Sequence, residues 1–75
     1  MRSKYVITER ESGMRLCMDN KWRHFAPFGT CNFCVKIYRN HGAAGNKARR
    51  IGGEVFELKA GYSMDASGRV MEVAA

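Results

Sequence analysis

The alternation of apolar and polar residues changes period once along the chain, and that change marks the centre of the predicted fold. Val35, Ile37 and Arg39 alternate with Lys36 and Tyr38 at the two-residue period of a half-buried strand. From Asn40 the spacing becomes helical: Ala44, Ala48 and Ile51 fall at i, i+4 and i+7 on one narrow apolar stripe, while Asn46, Arg49 and Arg50 project elsewhere. Asn40 offers a side-chain oxygen to cap that helix, and Gly52 and Gly53 supply the positive φ that commonly ends one. Val55, Phe56 and Leu58 then restart an apolar run. Cys34 to Leu58 is thus predicted as strand, helix from about His41 to Ile51, and strand. A competing assignment starts a helix at Thr30, but the β-branched and aromatic side chains of Val35, Ile37 and Tyr38 favour a strand there.

On the N-terminal side, Lys4 to Glu9 alternates Tyr5 and Ile7 against Lys4, Val6 and Thr8 and predicts a strand. Glu11-Ser12-Gly13 is a turn, and Met14, Leu16 and Met18, alternating with Arg15 and Cys17, predict an antiparallel return strand. Asp19-Asn20 turns the chain again. The following Trp22 to Ala26 is at most a short edge strand, because Pro27 excludes a central one. On the C-terminal side, Asp65-Ala66-Ser67-Gly68 has the Asp and Gly of a type I turn between strands at Tyr62 to Met64 and Arg69 to Val73. The expected fold is α+β: a single antiparallel sheet of four to five strands in the order β-β-β-α-β-β, with one short helix packed on one face.

Seventy-five residues make one domain, residues 1–75, and folding at this size buries roughly 60% of the surface an unfolded chain exposes. The apolar share of 45% and the single proline suit a globular chain. A net charge of +6 points to a negatively charged partner, either nucleic acid or an acidic protein surface. No run approaches the roughly 18 apolar residues of a membrane span, and no apolar segment follows Met1, so a cytoplasmic protein is expected. Three cysteines fit a reducing compartment in which thiols stay free. A monomer or small homo-oligomer is expected.

Cys31-x-x-Cys34 has a spacing at which two thiolates reach one zinc ion, with Cys17, His24 or His41 as completing ligands. The other candidates are scattered singly, whereas structural zinc sites bring a second close pair, so the expectation is no metal and no cofactor. A redox role for the pair would need a helix N-terminus, and a strand is predicted there instead. No nucleophile has a partner set, no paired carboxylates stand out, and the Gly42 and Gly45 of HGAAGNK lack the Gly-Lys-Ser/Thr end of a phosphate loop. The chain is not expected to be an enzyme. Binding residues are expected at Trp22, Arg23, Phe25, Arg39, Lys47, Arg49 and Arg50, where cations and rings could meet phosphates and bases or acidic and apolar protein surface. Phe28 and Tyr62 are further aromatic candidates, but at least two of Trp22, Phe25, Phe28 and Phe33 are expected to fill the core, since an alanine-faced helix covers little of a sheet.

The segments KYVI, ESGMRL and DNKWRHF, followed by VKIYRNHGAAGNKARRIGGEVFEL, resemble the small orphan proteins of bacteriophages and prophages. In those chains a short hairpin precedes a strand, an alanine-rich helix and a glycine-containing return to a strand. The resemblance covers about two thirds of the chain. It implies a phage-borne, anti-CRISPR-like binder with no catalytic residues, acting in a host cell on a host protein or nucleoprotein complex. The charge of +6 departs from the acidic nucleic-acid mimicry common among such inhibitors. The two function classes expected are a protein that modulates a host nucleic-acid machine by protein contact and, as the alternative, one that binds DNA or RNA directly.

Overall fold

Strand β1 (Lys4–Glu9) carries two adjacent apolar residues, Val6 and Ile7, that are both fully buried. Successive residues of a strand point to opposite faces, so the sheet must be covered on both sides. The computed structural model describes residues 3–73 and shows how this is done. β1 lies inside a four-stranded sheet of order β3-β2-β1-β4, made with β2 (Arg15–Leu16), β3 (Trp22–Arg23) and β4 (Gly53–Leu58). β5 (Tyr62–Met64) and β6 (Val70–Glu72) form a separate antiparallel hairpin. The class is α+β, with three strands before the helix as expected.

Among the described residues the one helix, α1, spans His41–Ile51, the predicted residues. Asn40 Oδ1 accepts hydrogen bonds from the amides of Gly42 (2.7 Å) and Ala43 (3.2 Å), and Gly52, at φ 76°, closes the other end with its N–H on Ala48 O. Ala44 and Ala48 are the buried stripe, and Ala48 packs with Ile7, Leu16, Trp22, Ile51 and Val55 on one face of the sheet. Small side chains let the helix approach closely. Gly53 shares this constraint: a Cβ there would stand 2.6 Å from Ile7 Cγ2 and 3.1 Å from the Trp22 ring. The other face holds Val6, Cys17, Ala26, Val35, Leu58 and Met64, covered by the 24–36 segment and the β5–β6 hairpin.

Two expectations are corrected. The segment around Val35 to Arg39 does not form a strand: Val35 bridges Cys17 and Tyr38 bridges Tyr5 at isolated points. β2 pairs with β1 only at Arg15 and Thr8, so Tyr5 is left open on that side, and Tyr38 occupies it with two backbone bonds of 2.8 Å. The segment thus passes from one neighbour to the next and cannot build a ladder. The third strand before the helix is Trp22–Arg23, which pairs with β2 through Leu16 and Arg15. Second, the closing hairpin does not extend the main sheet but packs on it through Met64, the backbone bond from Ala26 N to Ala66 O, and Arg15.

Among the described residues no helix is long and apolar enough to cross a membrane.

Candidate functional site

Three turns fix the framework that presents the surface. Glu9 accepts from the amides of Glu11 and Ser12 and from the Ser12 hydroxyl, and these bonds hold its carboxyl below the usual range. Asp65 does the same for the β5–β6 turn, accepting from Ser67 Oγ and from the amides of Ser67 and Arg69, again with a lowered pKa. Asp19 receives both Nη groups of Arg23 at 2.7 Å and is pushed down to about 2 by that bidentate contact. Arg23 is therefore committed to its own turn.

The predicted binding residues are divided among different environments. Trp22 is half-buried against Ile7, Leu16 and Ala48, and Phe28 packs on the opposite core, so these two rings fill the interior. Phe25 and Phe33 stand out instead, 71% and 55% exposed. Phe25 is held between two fixed neighbours: His24, whose carbonyl accepts from Arg15 Nη2 at 2.6 Å, and buried Ala26, whose amide donates to Ala66 O at 3.0 Å. Arg39, Arg49 and Arg50 are exposed and Lys47 is half-buried. They do not share one patch. Arg49, hydrogen-bonded to Asn46 Oδ1, lines a groove of about 420 Å³ between α1 and β4, together with Arg10, His41 and Glu54. Arg39 lines another of about 390 Å³ with Lys4, Met18 and Thr30.

Among the described residues only Arg10 with Glu54 (3.6 Å) and Arg23 with Asp19 form ion pairs. Lys4, Lys21, Arg39, Lys47, Arg49, Arg50 and Lys59 therefore make no ion pair among the described residues, Arg69 lies close enough to Asp65 to favour its charged form, and Lys36 leans over the Tyr38 ring at 5.8 Å.

The cysteines are corrected as well. Cys31 and Cys34 are joined in a disulfide, so the expectation of free thiols holds in the structure only for buried Cys17, and both sulfurs a zinc ion would need are taken. Cys17 Sγ lies 3.6 Å from Arg15 O, and His41 packs edge-on against Tyr5. Among the described residues no three His, Cys, Asp or Glu side chains converge.

Sequence patterning missed two features. Arg15 alternates with Met14 and Leu16 and so belongs, by period, to solvent; it is 3% exposed because the β5–β6 hairpin covers that face. Burial pushes its pKa down, opposed by the nearby Cys17 and Asp65. Its Nη2 donates to His24 O and to Ala66 O (2.5 Å), Nη1 lies 3.7 Å from Met64 Sδ, and Nε has no partner. Second, Phe56, Tyr62 and Val70, with Glu57 and Lys59 beside them, line a groove of about 260 Å³ along β4. Their alternation signalled strands, but only the separate packing of the hairpin leaves them uncovered.

The molecule is thus a small α+β scaffold with fixed turns, protruding aromatics and unpaired cations. Comparison with protein-family models, curated proteins and solved structures returns no significant match.

Proposed function

We propose that this chain is a non-enzymatic binding protein of the phage type, acting in a host cytoplasm, which modulates a host nucleic-acid machine through protein contact. The observation that carries this reading is Phe25: a ring 71% exposed, carried on backbone whose neighbours on both sides are bonded to a buried arginine and to the hairpin. With that backbone already fixed, only the side-chain torsions are left to order on docking, and burying the ring contributes about 1.5–3 kcal/mol. Such rings are the usual centres of protein interfaces. Unpaired cations elsewhere on the surface, Arg39, Arg49 and Arg50 among them, serve to steer an acidic partner.

Direct binding of DNA or RNA is the second reading, favoured by Lys47, Arg49 and Arg50 lying on one helix without ion pairs among the described residues. Tagged protein used to capture partners from host lysate, with and without nuclease, separates the two. Protein contact is supported by a defined complex that survives nuclease and is weakened about tenfold or more by Phe25→Ala, the change expected for one anchor ring. Nucleic acid alone, lost after nuclease and released steeply with salt, would sink it and leave the direct reading.

A further inference from the structure

Strand β4 is an open edge. It pairs with β1 along all six residues, from Lys4 with Leu58 to Glu9 with Gly53, and its other side has no backbone partner among the described residues. Native proteins blunt such edges with proline, lysine, a bulge or a very short strand. GEVFEL has none of these, and its only charged side chains are Glu54 and Glu57. A groove lies on each side of it. On the face carrying Val6 and Leu58, the groove is formed by Phe56, Tyr62 and Val70, with Glu57 and Lys59 also in its lining. On the helix face, Arg10, His41, Asn46 and Arg49 rim a groove at Gly42 and Gly45, and where a Gly45 Cβ would stand there is open space. A strand added at this edge sends alternate side chains into the two grooves, so the fitting segment alternates apolar with acidic residues.

β4 itself has that alternation. Phe56 is opposite Val6 and shares its face, whereas Glu57 is opposite Tyr5, which stacks on His41 on the helix side. We propose that β4 pairs antiparallel with β4 of a second copy, giving a two-fold dimer in which Phe56 lies opposite Phe56. Cross-strand pairs share a face, and a two-fold axis through the sheet keeps each residue on its own face, so the centre must fall on a residue. Centring on Glu54 or Glu57 sets like charges against each other. Centring on Val55 sets each Phe56 ring against a Glu54 carboxylate. Centring on Phe56 sets Glu54 opposite Leu58 at the two ends but is the register that joins the two Phe56 grooves ring to ring. It also places Glu57 of the second copy beside Val55, where Arg49 lines the helix groove next to the Arg10–Glu54 pair.

Sedimentation equilibrium of the full chain from about 10 μM to about 1 mM, the range suited to a small interface, should show a mass rising from 8.5 kDa toward twice that value. Phe56→Asp should weaken association at least tenfold; its ring is already 40% exposed, so the far-UV spectrum should not change. Arg49→Glu and Glu57→Arg should each weaken the dimer, and the double exchange should restore it. Arg49→Glu lowers the net charge of +6 by two, so general repulsion alone predicts the opposite result, a tighter dimer. A chain that stays monomeric at 1 mM, including one that instead binds a foreign strand at β4, overturns the proposal. So does a dimer indifferent to Phe56→Asp, or a double exchange no better than its single parents.

Discussion

Replacing Arg15 tests whether a buried cation holds this fold together or burdens it. Arg15 Nη2 donates to His24 O and Ala66 O, joining the segment after β3 to the turn between β5 and β6. Hydrogen bonds from a charged donor contribute about 1.5–3 kcal/mol each, so losing two costs about 3–6 kcal/mol. Against this stands the cost of taking a guanidinium out of water, several kcal/mol, undiminished at Nε, which has no partner. Arg15→Met keeps most of the stem and removes both effects, giving a net loss of about 1–3 kcal/mol. Arg15→Ala also removes methylenes packed at a site 3% exposed. At about 0.8 kcal/mol per methylene, its loss should exceed that of Arg15→Met by about 2 kcal/mol. A domain this small has a total stability of about 4–11 kcal/mol, so the change is large. Urea unfolding followed by circular dichroism gives the totals, and hydrogen exchange should show the β5–β6 amides losing protection first. An Arg15→Met protein as stable as the parent would refute the reasoning, because the two bonds would then not outweigh the burial cost.

Gly53→Ala drives a methyl into Ile7 Cγ2, Thr8 O and the Trp22 ring, and should cost about 1–3 kcal/mol in the same assay. Asn40→Ala removes the acceptor of two helix amides and should cost about 1 kcal/mol, with lower helicity by circular dichroism. Asp19, Glu9 and Asp65 bind protons less readily folded than unfolded, so their stabilisation is complete above the unfolded value near 4 and fades as pH falls, for Asp19 down to about 2. Unfolding midpoints measured between those limits should drop, and Asp19→Asn should flatten the slope; an unchanged slope would assign the acid loss elsewhere. Reducing Cys31–Cys34 opens a loop of only three intervening bonds of sequence, so a dithiol reductant should lower stability by no more than about 2 kcal/mol without unfolding the chain.

The helix was legible because its determinants are local: the Asn40 cap, an alanine stripe and the Gly52 stop lie in or next to His41–Ile51 and need no distant contact, whereas Gly53, expected to share the positive φ, begins β4 instead. The same holds for β1 and for the Asp65 turn, whose side chain satisfies its own neighbours. Edge positions were not local. Whether Val35 to Arg39 became a strand depended on how far β2 followed β1, and whether the closing hairpin joined the main sheet depended on the space left over Val6 and Leu58. Arg15 shows the limit most clearly. Period alone assigns it to water, and only a hairpin some fifty residues later in the chain buries it. The binding candidates divided for the same reason: Trp22 and Phe25 lie three residues apart in similar company, yet one ring meets the helix and the other meets solvent. Side-chain chemistry and turn propensity are written residue by residue; burial is settled by what arrives on the other side of the sheet.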